Sequence, residues 1–174
     1  MNPLHSELPI TYLNPGELYL GDQPALVTTT LGSCVAVIFF SPRPLLGAIC
    51  HALLPTGNDQ DNGFKYLDHS FFWMLEQFKL RDIKMEQIQV KLFGGADVLE
   101  YDRGDCQTVT VGRQNIEKAL ELVKTQGLRL KASNLGGTVA RKLFFYTHSG
   151  NVLVKKIEKL CWLRQAFVKA SSCR

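Results

Sequence analysis

The chain has 174 residues, 45% apolar and 21% charged, which fits one globular domain with a proper core and excludes a disordered or fibrous protein. No apolar run approaches the roughly 20 residues of a membrane helix, and the start MNPLHSELPITYL has no basic-then-apolar signal pattern, so a cytoplasmic protein without membrane insertion is expected. The net charge of +4 lies wholly in residues 155–174, where Lys155, Lys156, Lys159, Arg164, Lys169 and Arg174 face Glu158 alone; no aromatic interleaving or nucleic-acid motif accompanies it, so it reads as a solvated basic face or a docking element for an acidic partner, not a nucleic-acid site.

Strand patterns run in order at about 17–20 (ELYL), 25–30 (ALVTTT), 34–40 (CVAVIFF) and 46–53 (LGAICHAL). The third is apolar on both faces, which predicts a central strand covered on both sides. A helix follows in FKYLDHSFFWMLEQFKL, where Phe64, Leu67, Phe71, Leu75 and Phe78 form one stripe at spacings of three and four. A strand at about 87–93 (QIQVKLF) precedes a second helix, RQNIEKALELVKTQG, with Ile116, Leu120 and Val123 as its core stripe and Gly127 as its stop. Strands at about 128–132, 138–147 and 151–156 complete the domain, the last two joined through a hairpin turn in THSGN. A third helix is predicted near 158–169. The pattern specifies a mixed α/β sandwich, its hairpins favouring antiparallel pairing over a doubly wound sheet.

The five cysteines (Cys34, Cys50, Cys106, Cys161 and Cys173) are odd in number and scattered, with no C-x-x-C spacing. They read as reduced thiols rather than a disulfide framework or a zinc site. The glycine pairs in FGGADV and NLGGTVARK fit neither nucleotide-binding pattern and mark turns with positive φ.

One juxtaposition carries chemistry. Pro42 and Pro44 force a reversal between CVAVIFF and AICHALL, and the midpoint between positions 34 and 51 falls inside S-P-R-P. A hairpin symmetric about that point sets Cys34 opposite His51, with Cβ atoms about 5 Å apart on one face. Pro44 also biases Arg43 away from the helical region, so the turn departs from the standard two-residue kind, and a one-residue slip would separate the two side chains. A neighbouring imidazole can take the thiol proton and return it to a leaving amine. Thr28 can supply a hydroxyl to orient the ring, and the N–H groups around Ser33 and Cys34 an oxyanion hole beside Gly32. Each residue also has a plain structural reading: a small core thiol, a packed histidine, a β-branched strand residue. Cys50 alternates to the other face and belongs to the core.

The segments TTTLGSCVAVIFF and LLGAICHALLP resemble the signature of the chemoreceptor glutamine deamidase family, CheD. The resemblance continues through KYLDHSFFWML, KLFGGADV, VGRQNIEKALE, NLGGTVARKLFF and SGNVLVKKI, over about residues 15 to 157. It implies an α/β sandwich like the catalytic domain of glutamine-deamidating toxins, the domain spanning 1–157, and leaves unexplained the basic C-terminal helix or tail expected at 158–174. It also implies hydrolysis of receptor glutamines to glutamate through a cysteine thioester, tuning chemotaxis signalling, with Cys34, His51 and Thr28 as the catalytic residues and no metal or organic cofactor. Implied partners are methyl-accepting chemoreceptors and a CheC-type phosphatase, the latter leaving open a regulatory binding module with little catalysis. Asn134, where the family usually has an acidic residue, and Ala140, commonly glycine, depart from the pattern and bear on loop shape or partner docking.

Overall fold

The computed structural model describes residues 8–58, 63–98 and 109–157. Among the described residues, nine strands form two sheets. The strands are β1 (Ile10–Tyr12), β2 (Leu18–Gly21), β3 (Leu26–Leu31), β4 (Val35–Pro42), β5 (Leu45–Ala52), β6 (Gln89–Gly94), β7 (Arg129–Leu135), β8 (Arg141–Tyr146) and β9 (Val152–Lys156). The helices are α1 (Leu67–Lys79) and α2 (Val111–Thr125). One sheet has the order β1-β3-β8-β9 and the other β2-β5-β4-β6-β7. Most neighbours are antiparallel; β1 with β3 and β6 with β7 are parallel. The expected mixed, largely antiparallel α/β sandwich is therefore what forms.

The layers follow from the alternation of side chains along a strand. Even positions of β4, Ala36 and Ile38, join Val27, Leu31, Ile49, Leu143 and Phe145 in a core between the two sheets. Odd positions, Val35, Val37 and Phe39, join Leu67, Phe71, Met74, Phe78 and Leu122 in a core between the five-stranded sheet and the helices. β4 is thus buried on both faces, as its unbroken apolar run requires. Phe39 anchors the helical side, meeting Phe71 and Phe78 edge-to-face at centroid distances of 5.0 and 5.8 Å.

α1 buries Leu67, Phe71, Leu75 and Phe78 as predicted, whereas Phe64 lies in the turn before the helix and is half-buried. In α2 the stripe sits differently: Gly112, Asn115, Ala119, Leu122 and Val123 are buried, whereas Leu120 is exposed. Ala119 and Leu122 face the sheet instead, so the helix is rotated from the orientation its leucines suggested. Gly127, at φ +63°, ends it in a Schellman arrangement, with Leu128 N–H donating to Val123 O and Gly127 N–H to Lys124 O. β8 and β9 pair through a turn containing Gly150 at φ +71°. The predicted helix near 158–169 lies outside the described residues. Among the described residues no helix is long and apolar enough to cross a membrane.

The β4–β5 hairpin corrects the expected register. Pro42 pairs with Leu45, leaving Arg43 and Pro44 as the whole loop, with the bond between them cis. That geometry belongs to a tight turn with proline third. His51 therefore faces Ala36 rather than Cys34. The shift is two residues, an even step, so Cys34 and His51 stay on one face and become diagonal neighbours.

Phe39→Ala removes the ring at the centre of the helical core and is expected to cost about 3–5 kcal/mol. Urea unfolding monitored by circular dichroism should show it as a lowered midpoint with an unchanged slope.

Candidate active site

The turn before Cys34 is held by backbone bonds on one side. Ala96 N–H donates to Gly32 O and Gly95 N–H to Cys34 O, both at 2.8 Å. The FGGADV glycines make that approach possible. Gly94 has φ +111°, and a Cβ placed there would lie 2.1 Å from Cys34 O. Asn115 of α2 adds a side-chain clamp, its Nδ2 donating to Ser33 O at 3.1 Å and to Leu53 O at 2.9 Å.

Cys34 itself is a free thiol at intermediate exposure, its side chain packed on the inter-sheet core. Burial pushes its pKa up; its own backbone N–H acts more weakly in the other direction. Cys50 is a contrasting thiol. It is fully buried on the helical side, and burial raises its pKa to about 11 despite a hydrogen bond with Ser70. It belongs to the core, as alternation predicted.

His51 is 2% exposed. Its backbone is fixed from the β2 side, with His51 N–H donating to Glu17 O and Gly16 N–H to His51 O. Its ring reaches across to the other sheet, where Nδ1 lies 2.7 Å from Thr29 Oγ1. Thr29 Oγ1 also donates to Leu13 O at 2.8 Å. A hydroxyl has one proton, and with it committed to the Leu13 carbonyl, Oγ1 can only accept from the ring. The network thus assigns the proton to Nδ1 and leaves Nε2 as the basic nitrogen.

The structure brings Thr29, not Thr28, onto the imidazole. Val27 and Leu31 point into the inter-sheet core, so Thr29 does too, and Thr28 alternates to the opposite face of β3, paired with Phe144. Of the three residues expected from the sequence, Cys34 and His51 share a face and Thr28 lies apart from them. Thr29, the Leu13 carbonyl and Asn115 were not foreseen. The alternation Val27-Thr29-Leu31 was a readable signal for the first of them.

The departures Asn134 and Ala140 fall around a second glycine loop. Arg141, 5% exposed, donates to the backbone and side-chain oxygens of Asn134 and to Gly136 O. Burial lowers its pKa. The asparagine oxygen serves where a carboxylate was expected, so the loop keeps a guanidinium brace. Ala140 is buried, its carbonyl accepting from Ile157 N–H. A cavity of about 330 Å³ opens beside this loop, lined by residues including Gly136, Gly137, Arg141 and Lys156 but neither Cys34 nor His51. Among the described residues no three His, Cys, Asp or Glu side chains converge as a metal site.

Chemically, the arrangement offers a partly exposed thiol and, on the same face, a buried imidazole whose Nδ1 meets the Thr29 hydroxyl. Desolvation disfavours the thiolate of Cys34. Alkylation of Cys34, followed on its own peptide by mass spectrometry across pH, should accordingly titrate above the ordinary thiol value. A rate plateau already reached in mildly acidic solution would show a preformed ion pair instead.

Residues 53–156 match the family described as CheD chemotactic sensory transduction, beginning two positions past His51. A Geobacter sulfurreducens protein named probable chemoreceptor glutamine deamidase CheD 2 is 45% identical over 159 residues, covering 91% of this chain and 97% of that protein. Proteins named probable chemoreceptor glutamine deamidase CheD are similar in Maridesulfovibrio salexigens (37% identity; 88% of this chain, 95% of that protein) and in Pseudomonas syringae pv. tomato (34%; 82% and 86%).

Proposed function

Because this chain belongs to the CheD family, we propose that it hydrolyses glutamine side-chain amides of chemoreceptors, with Cys34 as nucleophile and His51 as acid and base. The observation that carries this reading is the His51 ring held by the Thr29 hydroxyl on the same face as a partly exposed thiol. In the first half-reaction Nε2 takes the Sγ proton as sulfur attacks the carboxamide carbon. The imidazolium then protonates the departing nitrogen, which leaves as ammonia and yields a γ-thioester. In the second half-reaction Nε2 deprotonates water, hydroxide adds to the thioester, and sulfur leaves with the proton returned to it. The products are glutamate and free enzyme. Each converted residue adds a negative charge to the receptor, which is how the reaction would tune signalling.

The orienting hydroxyl, expected at Thr28, is assigned to Thr29 in this mechanism, because the Thr29 hydroxyl meets the ring. When Nδ1 carries a proton and Nε2 gains one, Thr29 Oγ1 faces the positive ring as an acceptor while donating its own proton to the Leu13 carbonyl, a stabilising arrangement for the imidazolium. The oxyanion is given to the N–H groups of Ser33 and Cys34. A trans peptide sets N–H opposite the preceding C=O. With Gly32 O held by Ala96 and Ser33 O by Asn115, those two N–H groups turn away from the clamp.

Mass spectrometry of a receptor cytoplasmic fragment incubated with the protein should show a glutamine exchanging NH2 for OH. The exchange should vanish in Cys34→Ala and His51→Ala. Thr29→Val, losing one buried hydrogen bond, should lower kcat by about tenfold to a hundredfold, whereas Thr28→Val should stay within about twofold. No product with any receptor of the same genome, together with undiminished complex formation by Cys34→Ala, would assign the fold to binding of receptors or of a CheC-type phosphatase.

A further inference from the structure

Asn115 is fully buried in the second turn of α2, on the face that packs against the five-stranded sheet. Its Nδ2 spends both protons on carbonyls from two separate chain segments: Ser33, the residue before Cys34, and Leu53, two residues after His51. Its Oδ1 is buried with no hydrogen-bond partner among the described residues. An unmatched buried acceptor costs about 1–3 kcal/mol, so a residue present only for packing or stability would be apolar here. The two donors are what this position retains.

The helix that carries the amide is itself fixed to the same turn. Gly112, one turn earlier, approaches so closely that a Cβ there would lie 2.8 Å from Gly95 O. Gly95 in turn donates to Cys34 O. Backbone contact at Gly112 and side-chain contact at Asn115 therefore seat α2 on the nucleophile turn at two points. The β4–β5 ladder ends at Val35 and Ala52, so neither Cys34 nor Leu53 is held by it. Beyond that end, the Asn115 amide is the direct bridge between the two chain segments.

We infer that Asn115 is a positioning residue for the reaction, a side-chain bridge that sets the separation of Cys34 and His51 where the strand ladder stops. This rests on the reading of Cys34 and His51 as the working pair. It acts through two carbonyls and touches neither substrate nor reacting atoms. It also gives the RQN segment at the start of α2 a role that helix periodicity does not require.

The test uses the full chain with a receptor cytoplasmic fragment, measuring ammonia release, chloroacetamide alkylation of the Cys34 peptide, and Tm. Asn115→Ala should lower kcat by about tenfold to a hundredfold with KM little changed, since small misplacements of reacting groups cost that much. Alkylation at neutral pH should move toward the slower rate of His51→Ala. Leu122→Ala, buried on the same helix, should lower Tm while leaving kcat of the folded protein near wild type. Should Asn115→Ala fail to fold, the isosteric Asn115→Asp serves. Its carboxylate opposes both carbonyls and should abolish turnover at neutral pH. Its buried carboxyl titrates above the usual range, so the ratio of variant to wild-type kcat should recover as pH falls and a donor is regained. A kcat within twofold of wild type in Asn115→Ala, or a ratio in Asn115→Asp that is flat with pH, overturns the inference and leaves the Cys34–His51 reading standing. Wild-type alkylation in His51→Ala would remove the pair and the inference together.

Discussion

The contact between Thr29 Oγ1 and His51 Nδ1 is the constraint on which the site depends, because it joins the two sheets through buried polar side chains. His51 stands on β5 of the five-stranded sheet and Thr29 on β3 of the other. The direction of the bond is set by a third group, the Leu13 carbonyl, which takes the only hydroxyl proton. Leu13 follows β1, a three-residue strand laid parallel to β3. The short edge strand thus has a chemical consequence: it places an acceptor that decides which imidazole nitrogen is basic. In a buried setting such a network resists reorientation, since every alternative leaves a polar group unmatched.

The proposed nucleophile is positioned by a different device. Cys34 lies just before β4, where ladder bonds have stopped and a loop would be free to shift. Three carbonyls in succession, from Gly32, Ser33 and Cys34, are each taken by a donor from the 94–96 loop or α2. Glycine is required at Gly94 because the Cys34 carbonyl occupies the space of its side chain. The 94–96 loop is braced in turn by Gly136 N–H donating to Gly94 O, and the segment containing Gly136 by Arg141. The two glycine motifs are layers of one support whose inner end is the thiol.

Much of this was legible in the sequence because it depends on local periodicity. The strand run of 34–40 and the stripe of α1 each specify their own burial. The hairpin register was not legible to the residue, because S-P-R-P admits more than one loop length, and only the even shift preserved the shared face of Cys34 and His51. The run of three threonines hid which one turns inward; reading Val27 and Leu31 as inward neighbours separates Thr29 from Thr28. Leu120 misled because leucine marks a core face only on average, while Gly112, Asn115 and Ala119 let α2 approach the sheet closely. The Asn115 bridge spans 82 positions to Ser33 and 62 to Leu53, beyond any local pattern.

Burial is graded across the site, and the gradient bears on the order of events. Thr29 is inaccessible, His51 nearly so, and Cys34 only partly covered. On the proposed mechanism the substrate carboxamide meets sulfur first and the imidazole only through it. Burial disfavours a standing thiolate, so on this mechanism the Sγ proton passes to His51 as sulfur attacks and a bound carbonyl offers an oxyanion partner. That arrangement limits idle reactivity of the thiol toward oxidants and electrophiles, which attack thiolates. Water for the second half-reaction must reach a base that solvent scarcely touches, so it enters by the face that ammonia has just left. On that mechanism, approach past the partly covered thiol imposes sequence on the chemistry: acylation, departure of the amine, then hydrolysis, all with the same buried nitrogen.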